Sequence, residues 1–290
     1  MKLINGNSIA DDIYKELNVK IHQLKTQHNI IPGLAVMIIG DRPDSLTYIN
    51  MKRKKCKQLG IESFLIQLPI DILEEQVIQK ISNLNNDPQI HGILIQLPLP
   101  KNFNQNKILS QVSIDKDVDG FHYNNIGKLA LKQNPKFIPC TPKGCIELLQ
   151  RSNIPISGMH VVVLGRSNIV GLPLSLLLLH QDATVTICHS KTQNIKNITK
   201  NADILIAACG CMELVKKDWI KKDITIIDMG IHRKEDKTKK RGYKLVGDVD
   251  FEDVKDLVAY ITPVPGGIGP MTIAMLMTQT IESAFMSIDN

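Results

Sequence analysis

The hydrophobic residues of the N-terminal third follow two different spacings. Across residues 7–29 the apolar side chains recur every three or four positions, which predicts an amphipathic helix. Short continuous apolar runs come next, separated by helix-like segments near 46–59 and 73–86. Nearly continuous apolar strands joined by helices are typical of a parallel sheet covered on both faces. The strands that this pattern predicts are 34–39, 63–68 and 92–97.

The same alternation starts again at residue 160. Helices are predicted near 171–181, 193–200 and 251–257. The predicted strands are 161–164, 184–188, 203–208 and 224–228, with a further strand near 245–249. Between the two alternating regions the pattern lapses over 115–142, where two turn-like motifs indicate a domain junction.

The chain closes with a loop and a helix. Residues 262–270 are too rich in glycine and proline for regular structure, and an amphipathic helix is predicted from Met271 to about Phe285. The fold class is therefore α/β: two domains with mainly parallel sheets, the C-terminal one Rossmann-like. In such sheets ligands bind beyond the carboxyl ends of the strands, so we expect the active-site cleft between the domains.

The composition argues against several classes of protein and of site. Hydrophobic content of 43% and charged content of 22% are ordinary for a globular protein. No apolar run reaches the length of a membrane span and no signal peptide is recognised, so a cytoplasmic location without membrane contact is expected. The six cysteines form no C-x-x-C pair and the eight histidines no ligand-spaced pair, which favours reduced thiols and no metal site.

A modest net charge of +6 comes partly from two basic runs, Lys52–Lys55 and Arg233–Arg241. Such runs can mark nucleic-acid contacts, but no set of aromatic residues for base stacking accompanies them. The simpler interpretation of the second run is an exposed connection. No nucleic-acid partner is therefore expected, and a basic rim would also suit an anionic small molecule.

Residues 161–173 predict a buried strand, a tight turn with Gly165 and Gly171 at its ends, and a helix start. This is the shape of a dinucleotide phosphate site. The G-x-G-x-x-G fingerprint is incomplete, because Ser167 and Val170 stand where glycines belong. From this segment alone, a nucleotide site and an ordinary strand–turn–helix both remain open.

The segment after the second strand of this domain favours NADP. NAD-binding folds usually place an acid there to hold the ribose 2′-hydroxyl. Here the sequence is Cys188-His189-Ser190-Lys191-Thr192, which has no acid. Basic and hydroxyl groups suit a 2′-phosphate, and Arg166 in the preceding turn can join them.

Tyr48 and Lys52 are the strongest candidates for chemistry. They are four residues apart on a predicted helix, so they share a face, and the neighbouring positive charges together with partial burial would lower the pKa of Lys52. The alternative is a plain basic surface helix. Y-x-x-x-K is also the catalytic pair of short-chain dehydrogenases, but there it follows the glycine-rich turn, whereas here it precedes Gly165.

Polar residues at predicted strand ends and turns are further candidates. Gln96 ends a buried strand and can position water or a carbonyl group, or simply cap nearby backbone. One of Asp117 and Asp119 can accept hydrogen bonds from an amino-bearing ring, or both bond their own turn. Cys209-Gly210-Cys211 is better explained as a small-residue turn over a cofactor than as a redox or metal site.

Several motifs together resemble one family, the bifunctional methylenetetrahydrofolate dehydrogenase/methenyltetrahydrofolate cyclohydrolases (FolD proteins). The resemblance spans nearly the whole chain in the right order. One departure is Pro43-Asp44-Ser45, where the family often has P-A-S. The motifs are Tyr48 with Lys52, Gln96–Pro100, Asp115–Gly120, Pro139–Pro142, Gly165–Pro173 and Pro263–Thr272.

The resemblance implies a folate-binding catalytic domain of residues 1–120 plus 271–290, an NADP-binding domain of 140–270 and a junction at 121–139. It also implies a homodimer and a folate substrate with or without a polyglutamate tail. Lys52 is then the key cyclohydrolase residue, tuned by Gln96. Its partner Tyr48 orients and stacks on the folate, and Asp119 holds the pterin. The remaining implied contacts are Gly165, Arg166, Ser167, Ser190 and Ile231 for NADP, and Leu97, Pro265, Gly266, Gly267 and Ile268 for folate.

The implied activity has two steps: oxidation of 5,10-methylenetetrahydrofolate with NADP, then hydrolysis to 10-formyltetrahydrofolate. The family includes monofunctional and NAD-using members, so a monofunctional enzyme is one alternative. A non-catalytic NADP-binding protein of the same fold is another, although Lys52 and Gln96 are both present.

Overall fold

A computed structural model describes residues 1–239 and 241–288. Lys240 of the basic run and the last two residues of the predicted folate-binding segment lie outside the described residues. The chain forms two compact units. One comprises Met1–Asp11 and Thr141–Thr272, and the other comprises Asp12–Cys140 and the segment from Ile273 onward.

The secondary structure alternates along most of the chain. The strands are β1 (Lys2–Leu3), β2 (Gly33–Ile39), β3 (Glu62–Leu68), β4 (Gly92–Ile95), β5 (His160–Leu164), β6 (Thr184–Cys188), β7 (Ile204–Ala207), β8 (Ile224–Asp228), β9 (His232–Glu235), β10 (Tyr243–Val246) and β11 (Val258–Ile261). The helices are α1 (Gly6–His28), α2 (Pro43–Leu59), α3 (Glu74–Asn86), α4 (Gln105–Leu109), α5 (Tyr123–Ala130), α6 (Cys140–Arg151), α7 (Gly171–His180), α8 (Ile195–Thr199), α9 (Phe251–Val254) and α10 (Ile268–Met286).

The catalytic candidates lie on a unit built around a three-stranded parallel sheet of order β3-β2-β4. All seven residues of β2 are buried, as a central strand covered on both faces requires. The apolar runs of β2 and β4 pack with Val77 and Ile81 of α3 in one core. The three strands predicted in the N-terminal third are confirmed.

The second unit is built on a six-stranded parallel sheet of order β1-β11-β8-β7-β5-β6. Counting from β5, its strands read 2-1-3-4-5, with the N-terminal β1 added at the far edge. This is the second common doubly wound order rather than 3-2-1-4-5-6, and its ligand crevice lies at the switch point between β5 and β7. The α/β, Rossmann-like prediction is confirmed.

The predicted strand near 245–249 is not a member of that sheet. Tyr243–Val246 instead pairs antiparallel with His232–Glu235, forming a separate hairpin. Its exposed and partly buried residues are suited to a two-stranded ribbon. Val258–Ile261 pairs with β8 in its place. Length and apolar content alone did not separate a hairpin strand from a sheet strand.

Helix α5 and the start of α6 fall in the region where the pattern lapses, and α4 lies just before it. Pro139–Pro142 does not form a turn, because α6 begins at Cys140 and Pro142 occupies its first turn, where the missing N–H costs nothing. The short α4 and α5 were also not predicted. The segment 121–139 belongs to the unit of the three-stranded sheet, and Met1–Asp11 to the other, where β1 pairs with β11.

The C-terminal helix begins earlier than predicted, at Ile268, with Pro270 in its first turn. It is not amphipathic: Ala274 and Leu276 are both buried although they point to opposite sides. Among the described residues, no helix combines the length and apolar character needed to cross a membrane.

Candidate active site

Helix α2 carries the predicted Tyr48 and Lys52. Pro43 supplies the first helical position, and Gly60 ends the helix in the left-handed conformation at φ +78°. Ile49 and Cys56 anchor the helix in the core, while Tyr48 and Lys52 are partly buried one helical turn apart. The plain surface-helix alternative therefore does not apply to Lys52.

Gln96 directly contacts Lys52. The Nζ atom of Lys52 donates a hydrogen bond to Oε1 of Gln96 over 3.1 Å. The Nε2 atom of Gln96 donates to the carbonyl oxygen of Leu97 at 2.9 Å, and its backbone N–H donates to Met37. Because both amide atoms are engaged, the side chain is held with its oxygen toward the lysine.

The two aspartates of the Asp117–Asp119 turn have different surroundings. Asp117 is buried and accepts hydrogen bonds from the N–H groups of Phe121 (3.1 Å) and His122 (2.9 Å) and from Nδ2 of Asn125 (2.7 Å). Burial raises its pKa to about 7. Asp117 thus organises its own turn, and Asp119 is the one whose charge acts on Lys52.

Lys52 and Asp119 perturb each other. Burial lowers the pKa of Lys52, and the charge of Asp119 partly opposes this. Burial likewise raises the pKa of Asp119, against the charge of Lys52. The dominant cause therefore pushes each group toward its neutral form. A lysine held in this way can exist as a free amine nearer neutral pH than an exposed lysine can, as a proton-transferring group requires.

Two residues not predicted from the sequence lie behind Asp119. Nε2 of Gln279, on α10, donates to the carbonyl oxygens of Val118 (2.7 Å) and Ile138 (3.0 Å), and its Oε1 accepts from the N–H of Ile138 (3.0 Å). The Cys140 thiol lies 3.2 Å from the Val118 carbonyl oxygen, and it partly opposes the rise in the pKa of Asp119 that burial causes. A polar residue inside the apolar run of α10 was the available signal for Gln279.

In the six-stranded unit, the last residues of four neighbouring strands are paired with one another, so the strands end side by side. Leu164 of β5 pairs with Cys188 of β6 and Ala207 of β7, and Ala207 pairs with Asp228 of β8. The predicted NADP residues follow these ends directly, so the structure brings them to one edge of the sheet. They are Gly165, Arg166 and Ser167 after β5, Ser190 after β6 and Ile231 after β8.

The turn after β5 needs its glycines. Gly165 has φ +128°, and a Cβ atom on it would lie 2.1 Å from the carbonyl oxygen of Ala208. A Cβ atom on Gly171 would lie 2.2 Å from the carbonyl oxygen of Gly165. Ser167 stands where the usual fingerprint has glycine, and its Oγ accepts from the N–H groups of Val170 (3.2 Å) and Gly171 (3.3 Å). The hydroxyl thus accepts from the N–H groups that lead into α7 and keeps its own proton to donate.

The donor set at this edge fits a phosphorylated dinucleotide. Arg166 and Ser190 are exposed. The N–H of His189 donates a hydrogen bond to Oγ1 of Thr192 at 2.9 Å and so closes the turn around Ser190. This turn contains no carboxylate. A guanidinium, a hydroxyl and a helix start are groups that hold phosphate.

The predicted folate segment Pro265–Ile268 belongs to the six-stranded unit. It follows β11, and Thr262 links it to the sheet by accepting from the N–H of Asp228 over 2.8 Å. Gly266 has φ +109°, and a Cβ atom on Gly6 would lie 1.8 Å from the carbonyl oxygen of Gly267. The loop is therefore tightly shaped, and α10 starts at its last residue.

The structure also shows where the cysteines and the second basic run lie. All six cysteines are free, and Cys209-Gly210 forms a turn whose N–H groups donate to Asp248. Arg233 lies over the Tyr243 ring on the hairpin. Within the described ranges, no group of three His, Cys, Asp or Glu residues could hold a metal ion.

Family models match both parts of the chain. Residues 4–119 match the catalytic domain of the tetrahydrofolate dehydrogenase/cyclohydrolases, and residues 139–288 match their NAD(P)-binding domain. The chain belongs to this family. The earlier resemblance to the bifunctional FolD proteins is confirmed.

Relatives of known name and solved structures support the same family. The bifunctional protein FolD 2 of Arabidopsis thaliana is 54% identical over 98% of this chain and 95% of its own length. The crystal structure of a FolD methylenetetrahydrofolate dehydrogenase/cyclohydrolase from Campylobacter jejuni has a TM-score of 0.94 at 43% identity, covering 99% of both chains. A Trypanosoma brucei FolD, solved with NADP and an inhibitor, has a TM-score of 0.95 at 39% identity, covering 99% of this chain and 98% of its own.

Each of the two groups of predicted site residues lies in the part of the chain that matches one of the two family models. The Lys52, Gln96 and Asp119 cluster lies in the part that matches the catalytic model. The Gly165, Ser190 and Ile231 edge lies in the part that matches the NAD(P)-binding model. The individual roles of these residues remain predictions.

Proposed function

We propose that the protein oxidises 5,10-methylenetetrahydrofolate to 5,10-methenyltetrahydrofolate with NADP and then hydrolyses the product to 10-formyltetrahydrofolate. The single observation that carries this proposal is the partly buried Lys52, hydrogen-bonded to Gln96 at 3.1 Å beside Asp119, in a member of this family. Its pKa is lowered, so this lysine can move a proton in the second step.

The oxidation needs orientation more than acid–base catalysis. Bound NADP supplies the acceptor for the hydride that leaves the methylene carbon, and the folate nitrogens stabilise the cation that results. Gly165, Arg166 and Ser167 would hold the phosphates of NADP, Ser190 would hold its 2′-phosphate, and Ile231 would contribute an apolar contact. Their common position at one sheet edge supports this assignment.

The hydrolysis needs a proton carrier. Water adds to the methenyl carbon and gives up one proton. The bond from that carbon to N5 then breaks as N5 takes a proton, and the hydroxyl proton leaves to solvent as the formyl carbonyl forms, so one proton is released overall. Lys52 as a free amine accepts the proton from water and returns it to N5, while Gln96 holds the amine in place. Tyr48 orients the folate from the same face of α2. Asp119 accepts from the pterin, whose amino and ring N–H groups suit a carboxylate.

We assign dinucleotide binding to the six-stranded unit. We assign folate binding mainly to the unit of the three-stranded sheet, including Leu97, with one loop of the other unit. Pro265, Gly266, Gly267 and Ile268 contribute to the folate pocket in this proposal. Their tight loop after β11 supports it, since such a segment presents backbone in one conformation. The exposed basic run around Arg53 and Lys54 offers charge complementary to a polyglutamate tail.

We further propose a homodimer in a reducing, cytoplasmic environment. β6 is an edge strand with Ile187 exposed, and the neighbouring α7 exposes Leu172 and Leu179, so a second copy can cover this apolar face and extend the sheet. Six free cysteines support a reducing compartment. Analytical ultracentrifugation of Leu179→Glu against the wild type tests the dimer, and cell fractionation tests the location.

The test of the function is the absorbance of methenyltetrahydrofolate, followed after 5,10-methylenetetrahydrofolate is mixed with enzyme and NADP or NAD. We expect the signal to form with NADP and then decay. Formation without enzyme-dependent decay would indicate a monofunctional dehydrogenase. No signal with either nucleotide would overturn the proposal and favour a non-catalytic NADP-binding protein.

A further inference from the structure

A fully buried carboxyl group, Asp248, stands at the cofactor edge without a part in the chemistry above. Its Oδ2 accepts hydrogen bonds from the N–H groups of Cys209 (2.8 Å) and Gly210 (2.9 Å), in the turn after β7. Its Oδ1 contacts Nε2 of His232 at 2.7 Å, at the start of β9. Because both oxygens face donors, Asp248 ties two separate backbone segments to one point.

A second buried carboxyl group fixes the position of Asp248. Asp228, the last residue of β8, accepts from the N–H groups of Asp248 (2.9 Å) and Gly230 (2.9 Å) through Oδ1, and from Val249 (3.0 Å) through Oδ2. A Cβ atom on Gly230 would lie 2.4 Å from Oδ1 of Asp248, and one on Gly247 would lie 1.8 Å from Oδ2 of Asp228. Such close packing leaves one arrangement for the pair.

The two tied segments border the predicted dinucleotide site. The Cys209-Gly210 turn follows Ala208, whose carbonyl oxygen occupies the place where a side chain on Gly165 would begin. His232 directly follows Ile231, an exposed apolar residue. The crevice of a doubly wound sheet lies at this switch point between β5 and β7.

We propose that His232 and Asp248 are positioning residues for NADP. They hold Ile231 and the Cys209-Gly210 turn in the binding geometry before the dinucleotide arrives, so the protein does not have to order them on binding. This inference rests on the proposed function. Without the His232 contact, the Gly230–Ile231 segment loses its side-chain link to Asp248, and NADP has to order it.

The test replaces His232, whose side chain is only partly buried, so that folding is retained. His232→Leu removes the donor, and His232→Gln restores a donor near the position of Nε2. His160→Leu is the matched control: this histidine also makes two hydrogen bonds in the same unit, to Asn201 and Thr186, but at the amino end of β5. The measurements are the NADP dissociation constant by titration calorimetry, and KM and kcat for both substrates.

We expect His232→Leu to weaken NADP binding about tenfold and to raise KM for NADP similarly, with KM for folate within about twofold, as for loss of one good contact. His232→Gln should recover most of the affinity, and His160→Leu should leave it unchanged. Equal NADP affinity in His232→Leu and the wild type overturns the inference alone. An equal loss in His160→Leu, or no recovery in His232→Gln, also overturns it. A wild-type protein that binds no NADP defeats the proposed function as well.

Discussion

Lys52 and Gln96 meet through a single hydrogen bond of 3.1 Å from Nζ to Oε1, although 44 residues separate them in the chain. One side chain comes from the middle of α2 and the other from the residue after β4. The bond places an uncharged acceptor on a lysine whose pKa burial has lowered. An amide holds the amine without adding the negative charge that would restore its ordinary pKa.

Replacing Lys52 with Met should abolish the cyclohydrolase step while much of the folate binding remains. Methionine keeps a similar stem but carries no proton, and loss of a general acid–base group typically costs about 10²–10⁴ in rate. The decay of methenyltetrahydrofolate measures this step. Lys57→Met, on the same helix and exposed, is the control and should behave like the wild type. Full cyclohydrolase activity in Lys52→Met would remove Lys52 from the mechanism.

Gln96→Glu should shift the cyclohydrolase pH–rate profile to higher pH. A carboxylate at the position of Oε1 favours the ammonium form of Lys52, so the pKa of the lysine rises and the free amine appears only at more alkaline pH. Gln96→Leu loses the hydrogen bond without adding charge and should lower the rate without that alkaline shift. Identical profiles for Gln96→Glu and the wild type would contradict the proposed tuning.

Gly165→Ala should impair NADP binding. Alanine at φ +128° is strained, and its Cβ atom would lie 2.1 Å from the carbonyl oxygen of Ala208, so the turn must shift. A strain of about 1–3 kcal/mol predicts a KM for NADP raised roughly tenfold or more. Gly158→Ala is the control, since Gly158 has φ +76° but nothing within 4 Å of its added Cβ atom. Equal effects of the two substitutions would mean that backbone strain alone, and not the close approach, is responsible.

Gln279→Leu should destabilise the protein. It leaves the carbonyl oxygens of Val118 and Ile138 and the N–H of Ile138 without their amide partner, and an unsatisfied buried group costs about 1–3 kcal/mol. Urea unfolding measures the loss. Thr278→Val on the same helix removes only a bond to the carbonyl oxygen of Ala274 and should cost less. An unchanged unfolding midpoint for Gln279→Leu would show that water replaces the amide.

The buried Asp117 should make stability fall as pH rises from about 4 to 7. Its pKa is about 7 in the folded protein against an ordinary value of 3.8, so over this window the folded state binds more protons than the unfolded state. Stability that depends on this proton is complete below the ordinary pKa and is lost as pH rises through the folded pKa. The slope is at most about 1.4 kcal/mol per pH unit.

Urea unfolding of Asp117→Asn between pH 4 and 8 isolates this contribution. The difference in free energy of unfolding between wild type and variant should change with pH up to about 7 and be constant above it. Asp228, with a pKa raised to about 6, gives a dependence of the same sign in both proteins, which cancels in the difference. A difference that stays constant over the whole range would show that Asp117 ionises with an ordinary pKa.

Much of the fold follows from local patterns. The apolar runs within β2, β5 and β8 predict parallel strands, because a strand covered on both faces is apolar along most of its length. The hairpin strand Tyr243–Val246 was misassigned because its short, mixed pattern does not reveal its partner, and only the antiparallel pairing with His232–Glu235 decides it. The start of α6 at Cys140 was missed because prolines signal turns as well as first helical turns.

By itself, the sequence determined the fold class, the parallel strands, the Tyr48 and Lys52 spacing and the turn at Gly165, since each depends on residues close in the chain. The tertiary structure alone decided which of the two turn aspartates faces Lys52, that Gln279 braces the segment behind Asp119, and that Asp248 joins His232 to the Cys209-Gly210 turn. These contacts join residues far apart in the chain, and burial sets the proton affinities of the groups involved. Neither the partner of a side chain nor its distance from water is encoded in any one segment.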